Sequence, residues 1–360
     1  MKTMLAAALS CGLMAMAAQA SEVNVNHWSD FLAAGTVQDF ETQSKIKVNF
    51  SVADSLDTLQ TKLIVGGTGY DVVSPSHTIG ERLVNSNLLY KLDKSKLPNL
   101  RNLDESMMAK LATVDPGNDH LVPFAIVATL LAFNETKVRE LLGEKAELDS
   151  LALLFDPANA EKLKSCKINL FDTPAPVFSM ALTYLGLNPG SENPKDYQAA
   201  FNALKKIRPY VAQFNESTYL NDLAGGDICI TTAWSSDALI ARDRAKEAKR
   251  PYTIGYSIPK EGTATDFAVL AIPKDAPHPD AAMAWINFLL DPTVSARNTN
   301  ELRIATINEA ARPQVNAETL AEPVVSLQTP NANVFYLSKT PSAKIMRLQN
   351  QLWSQLKLGN

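Results

Sequence analysis

Apolar positions along the chain follow two periods, and their order predicts the architecture. Residues 45–52 (Lys-Ile-Lys-Val-Asn-Phe-Ser-Val) alternate apolar and polar with a period of two, as a half-buried strand does, and 23–27 (Val-Asn-Val-Asn-His) do the same. Residues 281, 282, 285, 288 and 289 are apolar with the 3.6 spacing of one helix face, which predicts a helix over 280–290. In chain order the first part reads strand 23–27, helix 31–40, strand 45–52, helix 55–65, strand 70–74 and helix 79–86. This β-α-β-α-β alternation implies a mainly parallel sheet flanked by helices on both faces. A second unit repeats the plan with a strand at 167–171, helices at 177–185 and 197–207, and a strand at 227–232 leading into a helix at 238–248. The apolar run 124–133 is expected to carry the chain from the first unit to the second, and strands 252–259 and 267–273 to bring it back. A final helix is read at 342–356. The expected fold is therefore α/β, with lobe 1 built from 21–130 plus 255–305 and lobe 2 from 131–254 plus 306–360. Crossing segments between two lobes form a hinge around a cleft, an arrangement that closes on a ligand.

Chemistry concentrates where two strands end. After Gly225-Gly226-Asp227, the run Ile228-Cys229-Ile230-Thr231-Thr232 delivers Trp234 and Asp237 at the point where strand gives way to helix. Near the N-terminus the first strand ends in Trp28-Ser29-Asp30. Ligands of open α/β sheets bind at the carboxyl ends of strands. An indole face attracts a cation and a carboxylate accepts its N–H donors, so the two boxes facing each other would suit an organic ammonium. The competing reading places Trp234 in the core and makes Asp237 a helix cap.

Composition narrows the functional classes. With 360 residues, 46% hydrophobic and 20% charged, the chain has the balance of an ordinary globular protein with room for two cores. A formal net charge of −4 argues against nucleic acid or an anionic membrane surface as partner. Residues 1–20 read as a signal peptide: Lys2, an apolar stretch over 4–18, and Ala18-Gln19-Ala20 before the cut. Lipid attachment through Cys11 is the alternative, although Ala8-Leu9-Ser10 is a poor match to the required sequence. Export leaves Cys166 and Cys229, which are expected to pair in an oxidising compartment. The four histidines, at 27, 77, 120 and 278, stand apart from each other and are expected in loops or at the surface. They offer no metal-ligand spacing. Gly66-Gly67-Thr68-Gly69 follows a helix and precedes a strand, the wrong order for a phosphate loop, and Gly255-Tyr256-Ser257-Ile258-Pro259 lacks the second glycine of a nucleophile elbow. No cofactor, metal or catalytic residue is expected.

The two boxes, together with Gly67-Thr68-Gly69-Tyr70-Asp71-Val72-Val73, Leu92-Asp93-Lys94-Ser95-Lys96-Leu97-Pro98, Leu163-Lys164-Ser165-Cys166, Asn221-Asp222-Leu223-Ala224, Arg244-Ala245-Lys246-Glu247-Ala248-Lys249 and Ser257-Ile258-Pro259-Lys260-Glu261-Gly262, run along nearly the whole mature chain. In these motifs the chain resembles the periplasmic polyamine-binding proteins of ABC importers, above all their putrescine-binding branch. The resemblance implies a two-lobed periplasmic-binding-protein fold of type II, a Cys166–Cys229 disulfide, a monomer in the periplasm, and delivery of an amine to an inner-membrane permease without chemistry. Carried over position by position, it implies that Trp28, Ser29, Asp30, Phe31 and Ser76 line the cleft from one lobe and Trp234 and Asp237 from the other. Phe31 stands where the family often has Tyr.

Three departures bear on the ligand. Pro176 replaces a family Glu, Asp266-Phe267-Ala268 replaces aromatic-x-Asp, and Arg303-Ile304 replaces a Phe-Tyr pair. Two acids are thus missing, Asp266 is a new acid two residues early, and Arg303 is a new cation. If Arg303 faces the cleft, it would repel a second ammonium and favour a ligand with one amine and a neutral or anionic far end, such as 4-aminobutyrate, 5-aminovalerate or an acylated polyamine. If instead Asp266 supplies the second acid, diamines remain the ligands. An enzyme on the same fold and a sensor subunit are the other classes.

Overall fold

The computed structural model describes residues 21–28, 31–53, 56–327 and 335–359. Among the described residues ten strands form one sheet: β1 Glu22–His27, β2 Lys47–Val52, β3 Val72–Val73, β4 Leu121–Asn134, β5 Ile168–Leu170, β6 Val211–Phe214, β7 Ile230–Trp234, β8 Ile254–Ser257, β9 Thr263–Ala271 and β10 Phe335–Leu337. Their order is β2-β1-β3-β9-β4-β7-β5-β6, with β10 on β9 and β8 on β4. The predicted parallel pairings appear at both ends, β1 with β2 and β3, and β5 with β6 and β7.

The long strand β4 organises the molecule. Its apolar run is buried almost throughout, as a strand covered on both faces must be. Its first part, Leu121 to Ala128, pairs antiparallel with β9, and its second part, Thr129 to Phe133, pairs antiparallel with β7. Two cores flank it. Val25, Phe40, Leu83 and Trp285 belong to one, and Phe133, Phe155, Phe178 and Trp353 to the other. The helix Pro279–Leu289, predicted from its periodicity, buries Trp285 edge-on against Phe40 at 4.9 Å.

The return path differs from the sequence reading. β8 pairs with the far end of β4, Leu131 to Asn134, and so remains with the second core; β9 makes the crossing. Beyond residue 305 the chain keeps contact with both cores. Ile307 packs in the first core and its carbonyl accepts from the Asp104 N–H at 2.8 Å. Val324 and Val325 sit in the second core, β10 returns to β9, and the helix Ala343–Leu358 packs on the second core again. Period-two alternation identifies a strand, but its partner is set by long-range packing.

The strand that carries Trp234 is braced on its entry side. Cys166 and Cys229 form a disulfide with Cα atoms 5.4 Å apart, and a loop of this length is worth roughly 4 kcal/mol in the chain-entropy model. Gly226 ends the preceding helix, Tyr219–Gly225, at φ 87°; a Cβ there would meet the Tyr252 ring. Only glycine takes that left-handed turn so close to another side chain.

Candidate functional site

A cleft of about 1670 Å³ lies between the two cores. Trp28, Phe31, Ser76 and Asp266 line it from the first side, and Trp234 and Asp237 from the second. Among the described residues, six carboxylates border it (Asp172, Glu192, Glu216, Asp237, Glu261, Asp266) against four cationic side chains (Arg82, Arg244, Lys339, Arg347), a balance that favours a cationic ligand.

β7 ends at Trp234, and the helix Ser235–Glu247 begins at the next residue. Trp234 is half-buried and stacks on the buried Phe171 with ring centroids 5.1 Å apart, which leaves its other face toward the cleft. Asp237 sits in the helix's first turn, where the dipole favours a carboxylate. Buried Tyr219 holds both residues: its hydroxyl donates to Asp237 Oδ2 at 2.5 Å and accepts from the Trp234 N–H at 3.2 Å. Burial, and then the negative charge of Asp237, push the Tyr219 hydroxyl well above its ordinary pKa, so it stays a donor. Ser236 donates to Oδ1 at 3.3 Å. The result is an oriented carboxylate beside an indole face, the arrangement an ammonium requires.

Across the cleft, Trp28 follows β1 and donates its N–H to His27 Nδ1 at 2.8 Å. His27 is fully buried between Phe31 and Phe124, and burial pushes its pKa down to about 3. It is a neutral spacer that fixes the backbone beside Trp28. His77 is also fully buried. Two of the four histidines therefore lie in the interior rather than in loops or at the surface, because each satisfies backbone groups at an element end. Ser76 caps the helix His77–Asn85, accepting from the Ile79 N–H, and also lines the cleft.

Asp266 faces the cleft from β9 and accepts from the Ser338 hydroxyl at 2.5 Å. Arg303 lies elsewhere. It ends the helix Pro292–Leu302 at φ 56°, its Nε donates to Asp243 at 3.3 Å, and its guanidinium also bonds the Thr319 hydroxyl. It does not border the cleft, so the expected repulsion of a second ammonium loses its source. Ser29, Asp30, Cys11 and the leader lie outside the described residues. Pro176 and Ala268, where acids were expected and are missing, both border the cleft. Sequence reasoning missed Tyr219, Ser338, Tyr336 and Thr129, which reach the site from four separate stretches without a shared local pattern.

Comparison with known proteins gives consistent matches. The family model described as bacterial extracellular solute-binding protein matches residues 35–323. The putrescine-binding periplasmic protein SpuD of Pseudomonas aeruginosa is 38% identical over 360 residues, covering 99% of this chain and 98% of its own length. The putrescine-binding periplasmic protein PotF of Escherichia coli is 39% identical over 345 residues, covering 96% and 93%. The fold matches the spermidine/putrescine substrate-binding protein PotD of Streptococcus pneumoniae with a TM-score of 0.78 at 22% identity, covering 94% of this chain and 99% of that one.

Proposed function

We propose, for a chain that belongs to the bacterial extracellular solute-binding protein family, that it captures a polyamine of the putrescine class in the periplasm and delivers it to an ABC-type permease. The observation that carries this reading is the Trp234–Asp237–Tyr219 constellation at the end of β7: an oriented carboxylate and an open indole face in an acid-rich cleft. Burying a cation is costly unless it is paired and hydrogen-bonded, and this site offers both. Curated relatives named as putrescine-binding periplasmic proteins align with the chain nearly end to end, which supports the same ligand class. The relatives are binding proteins, and the chain is read as one too, a monomer acting by capture and release without turnover. No helix among the described residues is long and apolar enough to cross a membrane.

A ligand with an anionic far end loses its support, because that reading needed the Arg303 guanidinium in the cleft and Asp243 engages it instead. The test is mass spectrometry of the small molecule that co-purifies with the chain, followed by titration calorimetry on diamines, triamines and ω-amino acids. A co-purified polyamine supports the reading. An anionic or neutral ligand, or turnover of any ligand, overturns it.

A further inference from the structure

A diamine carries two charges, and the Trp234–Asp237 end of the cleft answers one of them. We propose that Asp266 is the second ammonium anchor, so that the ligand lies across β4 as an extended dication between Asp237 and Asp266. This rests on the polyamine reading and specifies how that ligand is selected.

Register places the two ends on one surface. Trp234 of β7 stands opposite Thr129 of β4, and Asp266 of β9 stands opposite Val127 of β4. Residues 127 and 129 point to the same face, so Trp234, Thr129, Val127 and Asp266 form one diagonal across three strands, and all four border the cleft. Two strand spacings and a two-residue rise put the Cα atoms of Trp234 and Asp266 roughly 12 Å apart. Thr129 sits between the two ends. It is 1% exposed, and its hydroxyl has no hydrogen-bond partner among the described residues. A buried, unsatisfied hydroxyl on a cleft floor is a site waiting for a polar partner.

Asp266 is held in place without being neutralised. The Ser338 hydroxyl donates to it at 2.5 Å, and its side chain is 19% exposed. His77 Nδ1 approaches to 3.6 Å, but that nitrogen accepts the Phe267 N–H at 3.2 Å, while Nε2 lies 2.9 Å from the Ser338 carbonyl and can only donate there. The imidazole is therefore the neutral Nε2–H tautomer and brings no positive charge. Among the described residues, no Lys or Arg nitrogen forms a salt bridge with Asp266. A half-buried carboxylate, oriented and uncompensated, fits the second end of a dication.

Two anchors at a fixed span select chain length, and the experiment uses that property. Ligand-stripped protein is titrated calorimetrically with α,ω-diamines from propane to hexane and with n-butylamine as a singly charged probe. The unsubstituted protein should show one optimal diamine length. Asp266→Asn, which keeps the shape and an acceptor for Ser338, should lose about 30-fold or more at that optimum, flatten the length dependence, and change n-butylamine affinity by less than about threefold. Asp266→Glu extends the charge by one methylene and should move the optimum to a shorter diamine, so the proposal stays testable if the Asn variant folds poorly. Undiminished diamine affinity in Asp266→Asn, or equal losses for diamine and monoamine, overturns the proposal. Failure of the unsubstituted protein to bind any amine instead overturns the polyamine reading, and this proposal with it.

Discussion

Asp237→Asn isolates one charge in an otherwise unchanged site. The amide oxygen can still accept from Tyr219, whose hydroxyl lies 2.5 Å from the carboxylate, and Trp234 keeps its stack on Phe171. Folding should change little, since a carboxylate in a helix's first turn is worth only about 0.3–1 kcal/mol. Binding should change a great deal. An ammonium against Trp234 with the cleft closed over it would lose its counter-charge away from water, a cost of about 3–5 kcal/mol. That corresponds to a rise in Kd of roughly 150- to 5000-fold. The cation–π attraction that remains, about 0.5–2 kcal/mol, cannot compensate. Titration calorimetry with putrescine measures the loss, and a melting curve confirms that the variant is folded. A folded Asp237→Asn protein that binds putrescine within about threefold of the unsubstituted chain would refute the reasoning.

Arg303→Ala removes an ion pair with Asp243 whose side chains are 20% and 36% exposed, so solvent screening limits its contribution to less than about 1 kcal/mol of unfolding stability. Because the guanidinium lies away from the cleft, putrescine affinity should stay within about threefold, and a large gain would return Arg303 to the site. Acid should destabilise the protein through His27, whose pKa falls from 6.5 to about 3 on burial. The unfolded chain takes up that proton first, so the stability present above pH 6.5 is lost as the pH falls toward 3. The loss is on the order of 5 kcal/mol across that window. Urea unfolding at a series of pH values should show this acid limb, and His27→Gln should flatten it; an identical slope in the variant contradicts the assignment.

Much of the frame was legible because its signals are local. The helix Pro279–Leu289 and the core of β4 follow from apolar spacing, and the Cys166–Cys229 pair follows from export leaving two cysteines. Trp234 and Asp237 stood out because a strand run ends where a helix begins. What was missed depends on contacts distant in sequence. Tyr219 lies 18 residues from the carboxylate it orients, and Ser338 lies 72 from Asp266. The three-residue β10 is too short to show alternation, so the strand that brings Tyr336 to the cleft was invisible. β4 extends beyond the expected 124–133 because Pro123 sits at a register shift, where its missing N–H costs no ladder bond. Arg303 was expected at the cleft, on the condition that it faces inward, because Arg303-Ile304 replaces a family Phe-Tyr pair near a crossing. Its left-handed backbone and the pull of Asp243 on the helix Ser235–Glu247 turn it away.

The central claim, a cleft built for a polyamine with a cation at each end, is tested most directly by titrating the ligand-stripped protein in parallel with putrescine and 4-aminobutyrate. The two share one amine and differ in the charge at the far end. Putrescine should bind with micromolar or tighter affinity and 4-aminobutyrate should give no measurable heat, because Asp266 would repel its carboxylate. Tighter binding of 4-aminobutyrate than of putrescine would contradict the account.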